Sequence, residues 1–128
     1  MKRVTGIGGV FFKAKDPEKL REWYRVHLGI ESESWGFSFQ WQDDPQPDGG
    51  TTAWSIFPDD TKYFEPSAKP FMINFRVEDL DALLTQLQAE GVEVPAKGEA
   101  SEFGKFSWLM DPEGNRVELW QPPPRSKE

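Results

Sequence analysis

Phe12-Lys13-Ala14-Lys15-Asp16-Pro17-Glu18-Lys19-Leu20 recurs 63 residues later as Phe75-Arg76-Val77-Glu78-Asp79-Leu80-Asp81-Ala82-Leu83. Phe12/Phe75, Asp16/Asp79 and Leu20/Leu83 are identical at that offset. In each copy a β-favouring run meets an aspartate and then a helical pattern, so a strand passes through an N-cap into a helix. Both copies also end in a short hydrophobic run closed by proline, Trp54-Ser55-Ile56-Phe57-Pro58 and Glu118-Leu119-Trp120-Gln121-Pro122. A chain with two equivalent halves is expected to build one composite site between them, and equivalent positions can be compared for chemistry.

Working outward, residues 4–14 read as a strand. Asp16 caps a helix with Pro17 at its first position and Glu18 in its first turn. Leu20, Trp23, Tyr24 and Leu28 follow helical spacing, and Gly29 stops the helix. A short strand is expected at 30–34. Trp35-Gly36-Phe37-Ser38-Phe39-Gln40-Trp41 alternates strictly and is the strongest strand signal in the chain. A loop at 43–50 leads to the last strand of the first half, 51–57. After a polar connector the order repeats: strand 71–77, helix 79–90 with Leu80, Leu83, Leu84 and Leu87 on one face and Gly91 as stop, then a short strand 92–94. A loop runs through Gly104, and 105–110 and 116–121 form a hairpin around Asp111-Pro112-Glu113-Gly114-Asn115. The predicted fold class is α+β, a single domain over 1–128 of two tandem β-α-β-β-β modules. These span about 5–58 and 69–122, with connector 59–68 and a frayed tail 123–128.

Period-2 alternation assigns faces within the sheet. Ile73, Phe75 and Val77 should pack under the leucine-rich helix, and Val117 and Leu119 should join them. The opposite face is then lined by Gly9, Phe11, Trp54, Ile56, Met72, Asn74, Glu118 and Trp120, with Phe106 and Trp108 as additions. Rings with a few polar groups have the composition of a small-molecule cleft. Phe11, Trp54, Ile56, Met72, Asn74, Trp108, Glu118 and Trp120 are therefore the candidate ligand-binding residues.

Composition narrows the function. The 128 residues carry 10 Phe, 6 Trp and 2 Tyr at a mean hydropathy of −0.67, so the core leans on rings. Two halves of this size must pack together or swap with a second chain, which predicts a homodimer. With no cysteine, disulfides, thiolate metal sites and a thiol nucleophile are excluded. A net charge of −7 argues against nucleic acid, which needs a basic face. Without an apolar run long enough to span a bilayer or an N-terminal signal segment, a soluble, cytoplasmic protein is expected, with no membrane partner. Gly6-Ile7-Gly8-Gly9 starts a strand instead of opening a helix, so it is no phosphate loop. His27, at the end of the first helix, reads as structural. Trp23 and Tyr24 read as core or dimer contacts.

The doubled β-α-β-β-β order, the Asp16-Pro17-Glu18-Lys19-Leu20…Trp23-Tyr24…Leu28-Gly29-Ile30 helix and Asp111-Pro112-Glu113-Gly114-Asn115-Arg116-Val117-Glu118-Leu119 together resemble the vicinal oxygen chelate superfamily. That superfamily contains glyoxalase I, bleomycin-resistance proteins and extradiol dioxygenases. The resemblance covers 5–122 and implies paired modules curling into a cup with helices outside, often completed by dimerisation. It also implies metal ligands on the first and last strand of each module, which here are Gly9, Trp54, Met72 and Glu118. Of these, only Glu118 offers a ligand for a hard or borderline divalent ion. No metal and no cofactor is therefore expected.

Glu118 keeps three readings: a remnant with hydrogen-bond partners, a contact for a ligand donor, or a metal-free general base whose pKa is raised by flanking rings. Asn74 reads as a cross-strand hydrogen bonder or a ligand contact. The leading functional expectation is a non-catalytic binding module for a small, partly aromatic or cationic molecule. The alternative is a glyoxalase-like lyase or isomerase, of lactoylglutathione lyase type, using Glu118 with or without a metal. A third is an oligomerising partner protein.

Overall fold

The computed structural model describes residues 10, 12, 14–45 and 57–124. Its element order is α1 (Pro17–Leu28), a 3-10 turn (Trp41–Asp43), β1 (Ile73–Arg76), α2 (Leu80–Ala89), β2 (Glu99–Ser101), β3 (Gly104–Met110) and β4 (Arg116–Gln121). The four strands form one open sheet in the order β1-β4-β3-β2. β1 pairs with β4 in parallel, and the other two pairings are antiparallel. The fold is α+β with a mixed sheet, and its elements from β1 onward run β-α-β-β-β.

Both helices begin and end on local chemistry. Asp16 accepts from the Lys19 N–H at 3.1 Å, Pro17 occupies the first helical position, and Gly29 closes α1 in the left-handed region. Asp79 caps α2 in the same way from Ala82 N–H at 3.2 Å, and the Leu80 N–H donates to Gln121 Oε1 at 2.9 Å. That last bond ties the start of α2 to the end of β4. At the far ends, His27 Nδ1 and Glu90 Oε1 lie 2.8 Å apart. Gln86, and after it His27, hold the Glu90 carboxyl below its usual range.

The core lies between the helices and one face of the sheet. Leu80, Leu84 and Leu87 are fully buried against Leu109, Val117 and Leu119, with Leu20 and Tyr24 arriving from α1. Each buried leucine contributes about 2 kcal/mol of apolar burial. Phe75 and Val77 pack against this cluster as alternation predicted. Ser107, on the same face of β3, is 1 % exposed, and its hydroxyl has no partner among the described residues. Replacing it by alanine should stabilise the fold by about 1 kcal/mol, because an unpaired buried hydroxyl is removed. A drop in urea midpoint for S107A would contradict this.

The β3–β4 turn is built as its residues require. Gly114 has φ +81°, its N–H donates to Asp111 O at 3.1 Å, and the Asp111 N–H donates to Asn115 O at 2.9 Å.

Four local expectations are corrected, the first being the short strand at 30–34, where only an isolated bridge joins Glu33 to Gly36. Trp35–Trp41 forms no strand, and Trp35, Phe37, Phe39 and Trp41 are 44–70 % exposed. Glu33 and Gly36 instead exchange backbone bonds in a tight turn at φ +134° for Gly36, and the Trp35 indole N–H donates to Glu33 at 2.8 Å. Alternation marks an apolar face, but a strand also needs a ladder partner, and none pairs with it among the described residues. Residues 92–94 are likewise not a strand; Val92 and Val94 pack against the core instead. The strand lies further on, at Glu99–Ser101, inside the expected loop. The predicted strand 51–57 lies almost wholly outside the described residues, as does most of 4–14. No helix among the described residues is long and apolar enough to cross a membrane.

Candidate functional site

The sheet face opposite the core is ordered in rows by the strand register. Asn74, Glu118 and Trp108 are direct neighbours across β1, β4 and β3, and Arg76, Trp120 and Phe106 form the next row. Met110 and Arg116 pair in the row at the turn end. Side chains two apart on β4 leave the same face, so Arg116, Glu118 and Trp120 stand together.

Glu118 is 7 % exposed and accepts three hydrogen bonds. Its Oε1 accepts from Asn74 Nδ2 at 2.7 Å. Its Oε2 accepts from Trp108 Nε1 at 2.7 Å and from the Tyr63 hydroxyl at 2.5 Å. An ionised carboxylate offers about four acceptor directions, so one remains, on Oε1 beside the exposed amide of Asn74. The Tyr63 phenol is pushed up to about 12, first by burial and then by the acceptor and charge of Glu118. The chain has two tyrosines, and burial followed by Asp111 also raises Tyr24.

An unfolded tyrosine loses its proton near 10 whereas folded Tyr63 keeps it, so its contribution is complete below pH 10 and is lost between 10 and 12. Ultraviolet titration should show neither phenol ionising near its ordinary value while the fold persists. A normally titrating phenol that disappears in Y63F would contradict the contact with Glu118.

Rings surround this carboxylate. Tyr63 meets Trp108 edge-on at 6.0 Å and stacks on Phe57 at 5.6 Å. The Arg116 guanidinium stands 5.0 Å from the Trp108 centroid and 5.5 Å from that of Tyr63. In the next row Trp120 stacks on Phe106 at 6.1 Å, Arg76 lies 5.6 Å from its ring, and its indole N–H donates to Phe103 O at 2.7 Å. Gly104 sits tightly against this corner, where an added Cβ would press on Gln121 O and the Trp120 indole. Arg76 is paired with Asp44 at 3.1 Å.

Of the predicted ligand-binding residues, Asn74, Trp108 and Glu118 are joined by hydrogen bonds, and Trp120 borders them. Met72 lies just before β1 and is partly buried. Phe11, Trp54 and Ile56 lie outside the described residues. Sequence reasoning missed two members. Tyr63 sat in what read as a polar connector, although Tyr63-Phe64 is an aromatic pair in an otherwise polar run. Arg116 shares strand parity with Glu118, a signal that was available.

Two of the four family metal positions, Gly9 and Trp54, also lie outside the described residues. The other two, Met72 and Glu118, combine a soft thioether with a carboxylate that already receives three N–H and O–H protons. Among the described residues no group of three or more His, Cys, Asp or Glu could hold a metal ion. Met72 and Glu118 by themselves are too few and too unlike to hold a divalent cation. A hollow of about 270 Å³ lies elsewhere, between α1 and 32–34, lined by Glu18, Arg21, Glu22, Arg25 and three further polar residues. Within it Arg25 pairs with Glu22 at 2.6 Å, and Glu33 accepts from the Trp35 indole.

Comparison with known proteins follows the fold. No curated protein sequence matches. Among solved structures, the antibiotic binding protein TnmS3 from Streptomyces sp. CB03234 is 20 % identical, with 96 % of this chain and 100 % of that chain covered and a TM-score of 0.59. Lactoylglutathione lyase from Agrobacterium tumefaciens is 20 % identical over 94 % and 96 % of the two chains, at a TM-score of 0.61. A glyoxalase/bleomycin resistance protein from Streptomyces sp. CB03234 is 21 % identical over 84 % and 93 %, at 0.50. At these identities the likeness is one of fold. The Glyoxalase-like domain family matches residues 9–120, nearly the whole chain. The protein belongs to that family, within the vicinal oxygen chelate superfamily.

Proposed function

We propose that this chain binds a small molecule on the sheet face around Glu118 and does so without a metal and without turnover. The observation that carries the reading is the commitment of Glu118: three donors hold its oxygens and leave a single acceptor direction beside the Asn74 amide, whereas a base needs a free lone pair aimed at a substrate proton. A carboxylate so held instead fixes the rotamers of Tyr63, Trp108 and Asn74, making a preorganised wall. A relative of the same fold, TnmS3, is an antibiotic binding protein, which supports a binding role for the scaffold. The second reading, a glyoxalase-like lyase or isomerase, draws on the lactoylglutathione lyase of like fold and on the one open direction at Glu118 Oε1.

The test combines tryptophan emission and thermal shift against a panel of metabolites and antibiotics with metal analysis and a hemithioacetal turnover assay. Binding should move the emission of Trp108 and Trp120 and raise the melting temperature. A silent panel would remove the binding reading. Stoichiometric nickel, zinc, manganese or iron with turnover abolished in Glu118→Gln would replace it by the second. We further propose a homodimer, which light scattering would refute by showing a monomer.

A further inference from the structure

Among the described residues, Arg116 is held by ring faces and by no acid. Its guanidinium stands over Trp108 and Tyr63, partly withdrawn from water. Among the described residues it enters no ion pair, whereas Arg76 on the same face is matched with Asp44. The acid closest along its own strand, Glu118, gives three of its four acceptor directions to Asn74, Tyr63 and Trp108. Ring faces steady a cation, but they do not accept its N–H groups as an oxygen does.

A guanidinium oriented in advance, with its donors unspent, is completed by a planar oxyanion that takes two parallel N–H bonds. Orientation by the two rings also lowers the entropy lost when that pair forms. Among the described residues of this face, the carboxylates of Glu118 and Asp44 already receive N–H and O–H donors, so Arg116 is the charged group left to meet a guest. The acidic net charge of the whole chain pointed toward a cationic guest; the donors of Arg116 point toward an anion.

We propose that the small molecule bound on this face presents a carboxylate to Arg116, with the exposed Asn74 amide as a neutral neighbouring contact. The proposal rests on the binding reading above and names the ligand class. Arg116 is then the residue that selects ligands by charge.

Three probes of nearly equal size and shape separate the cases: benzoate, benzamide and benzamidine, which are anionic, neutral and cationic. The measurement is an NMR titration of intact protein that follows the Trp108 indole N–H and the Arg116 Nε–H. Benzoate should shift both signals saturably, with a dissociation constant on the order of millimolar for so small a probe. Benzamidine should leave them in place. Arg116→Gln should weaken benzoate about tenfold or more, the scale of a charge-assisted hydrogen bond. Arg116→Lys, which keeps a cation over the rings and loses the fork, should fall between, and it serves if the glutamine variant does not fold. Benzamidine binding as well as benzoate would overturn the anion assignment while leaving small-molecule binding intact. Undiminished benzoate binding by Arg116→Gln would overturn it too. Silence from all three probes would overturn this inference together with the binding reading.

Discussion

Asp111→Ala should destabilise the protein by about 3–5 kcal/mol, a lowering of the melting temperature on the order of 10 °C for a domain of this size. Asp111 is 5 % exposed and accepts four hydrogen bonds. Its Oδ1 takes the N–H groups of Glu113 and Asn115, both at 2.9 Å. Its Oδ2 takes Asn115 Nδ2 at 2.8 Å and the Tyr24 hydroxyl at 2.7 Å. Three of these bonds shape the β3–β4 turn, and the fourth docks α1 across 87 residues of sequence.

Alanine leaves those donors buried without an acceptor, and the loss is larger than the net worth of the bonds because each donor stays out of water. Tyr24→Phe should cost less, about 2 kcal/mol, since it removes one bond to a charged acceptor and keeps the ring packed. Urea denaturation of the two variants measures both. A loss below about 1 kcal/mol for D111A would mean that water reaches the turn and that α1 is held by packing alone.

Glu118→Ala is the second large effect, about 2 kcal/mol in stability and loss of whatever binds the face. The stability cost is smaller than at Asp111 for a physical reason. Tyr63 is 38 % exposed and the Asn74 side chain is also open, so water replaces two of the three lost partners. The binding effect is larger, because Tyr63 and Trp108 lose the common acceptor that fixes their rings, and Arg116 stands on those rings. Near-ultraviolet circular dichroism should weaken while the far-ultraviolet spectrum persists. Unaltered tryptophan ellipticity in E118A would show that the rings hold themselves.

The two carboxylates differ in how legible they were. The hairpin turn was readable from Pro112 and Gly114, but Asp111 as a hub was not, because its fourth donor arrives from α1. Glu118 was singled out from strand parity and from its place in the repeat, and the structure gives it neighbours that parity predicted on both sides, Asn74 and Trp108. Its third donor was invisible. Tyr63 reaches it from 55 residues away through a string of turns at 58–67, which have no periodicity to read. β2 escaped for a related reason: Glu99–Ser101 is an exposed edge of three residues with no apolar face. The Trp35–Trp41 run failed in the opposite sense, having the pattern without a described partner.

What sequence alone determined here is whatever depends on neighbours within a few residues. That covers both helices with their aspartate caps and glycine stops, the hairpin turn, and which side of β4 each residue takes. Backbone hydrogen bonding and side-chain parity are local, so local residues decide them. Only the tertiary structure decided that Glu118 is satisfied, that Tyr63 belongs beside it, and that Arg116 stands over two rings and not over an acid. Partner choice depends on which distant groups the packed core brings within about 3 Å, and no spacing along the chain encodes that distance.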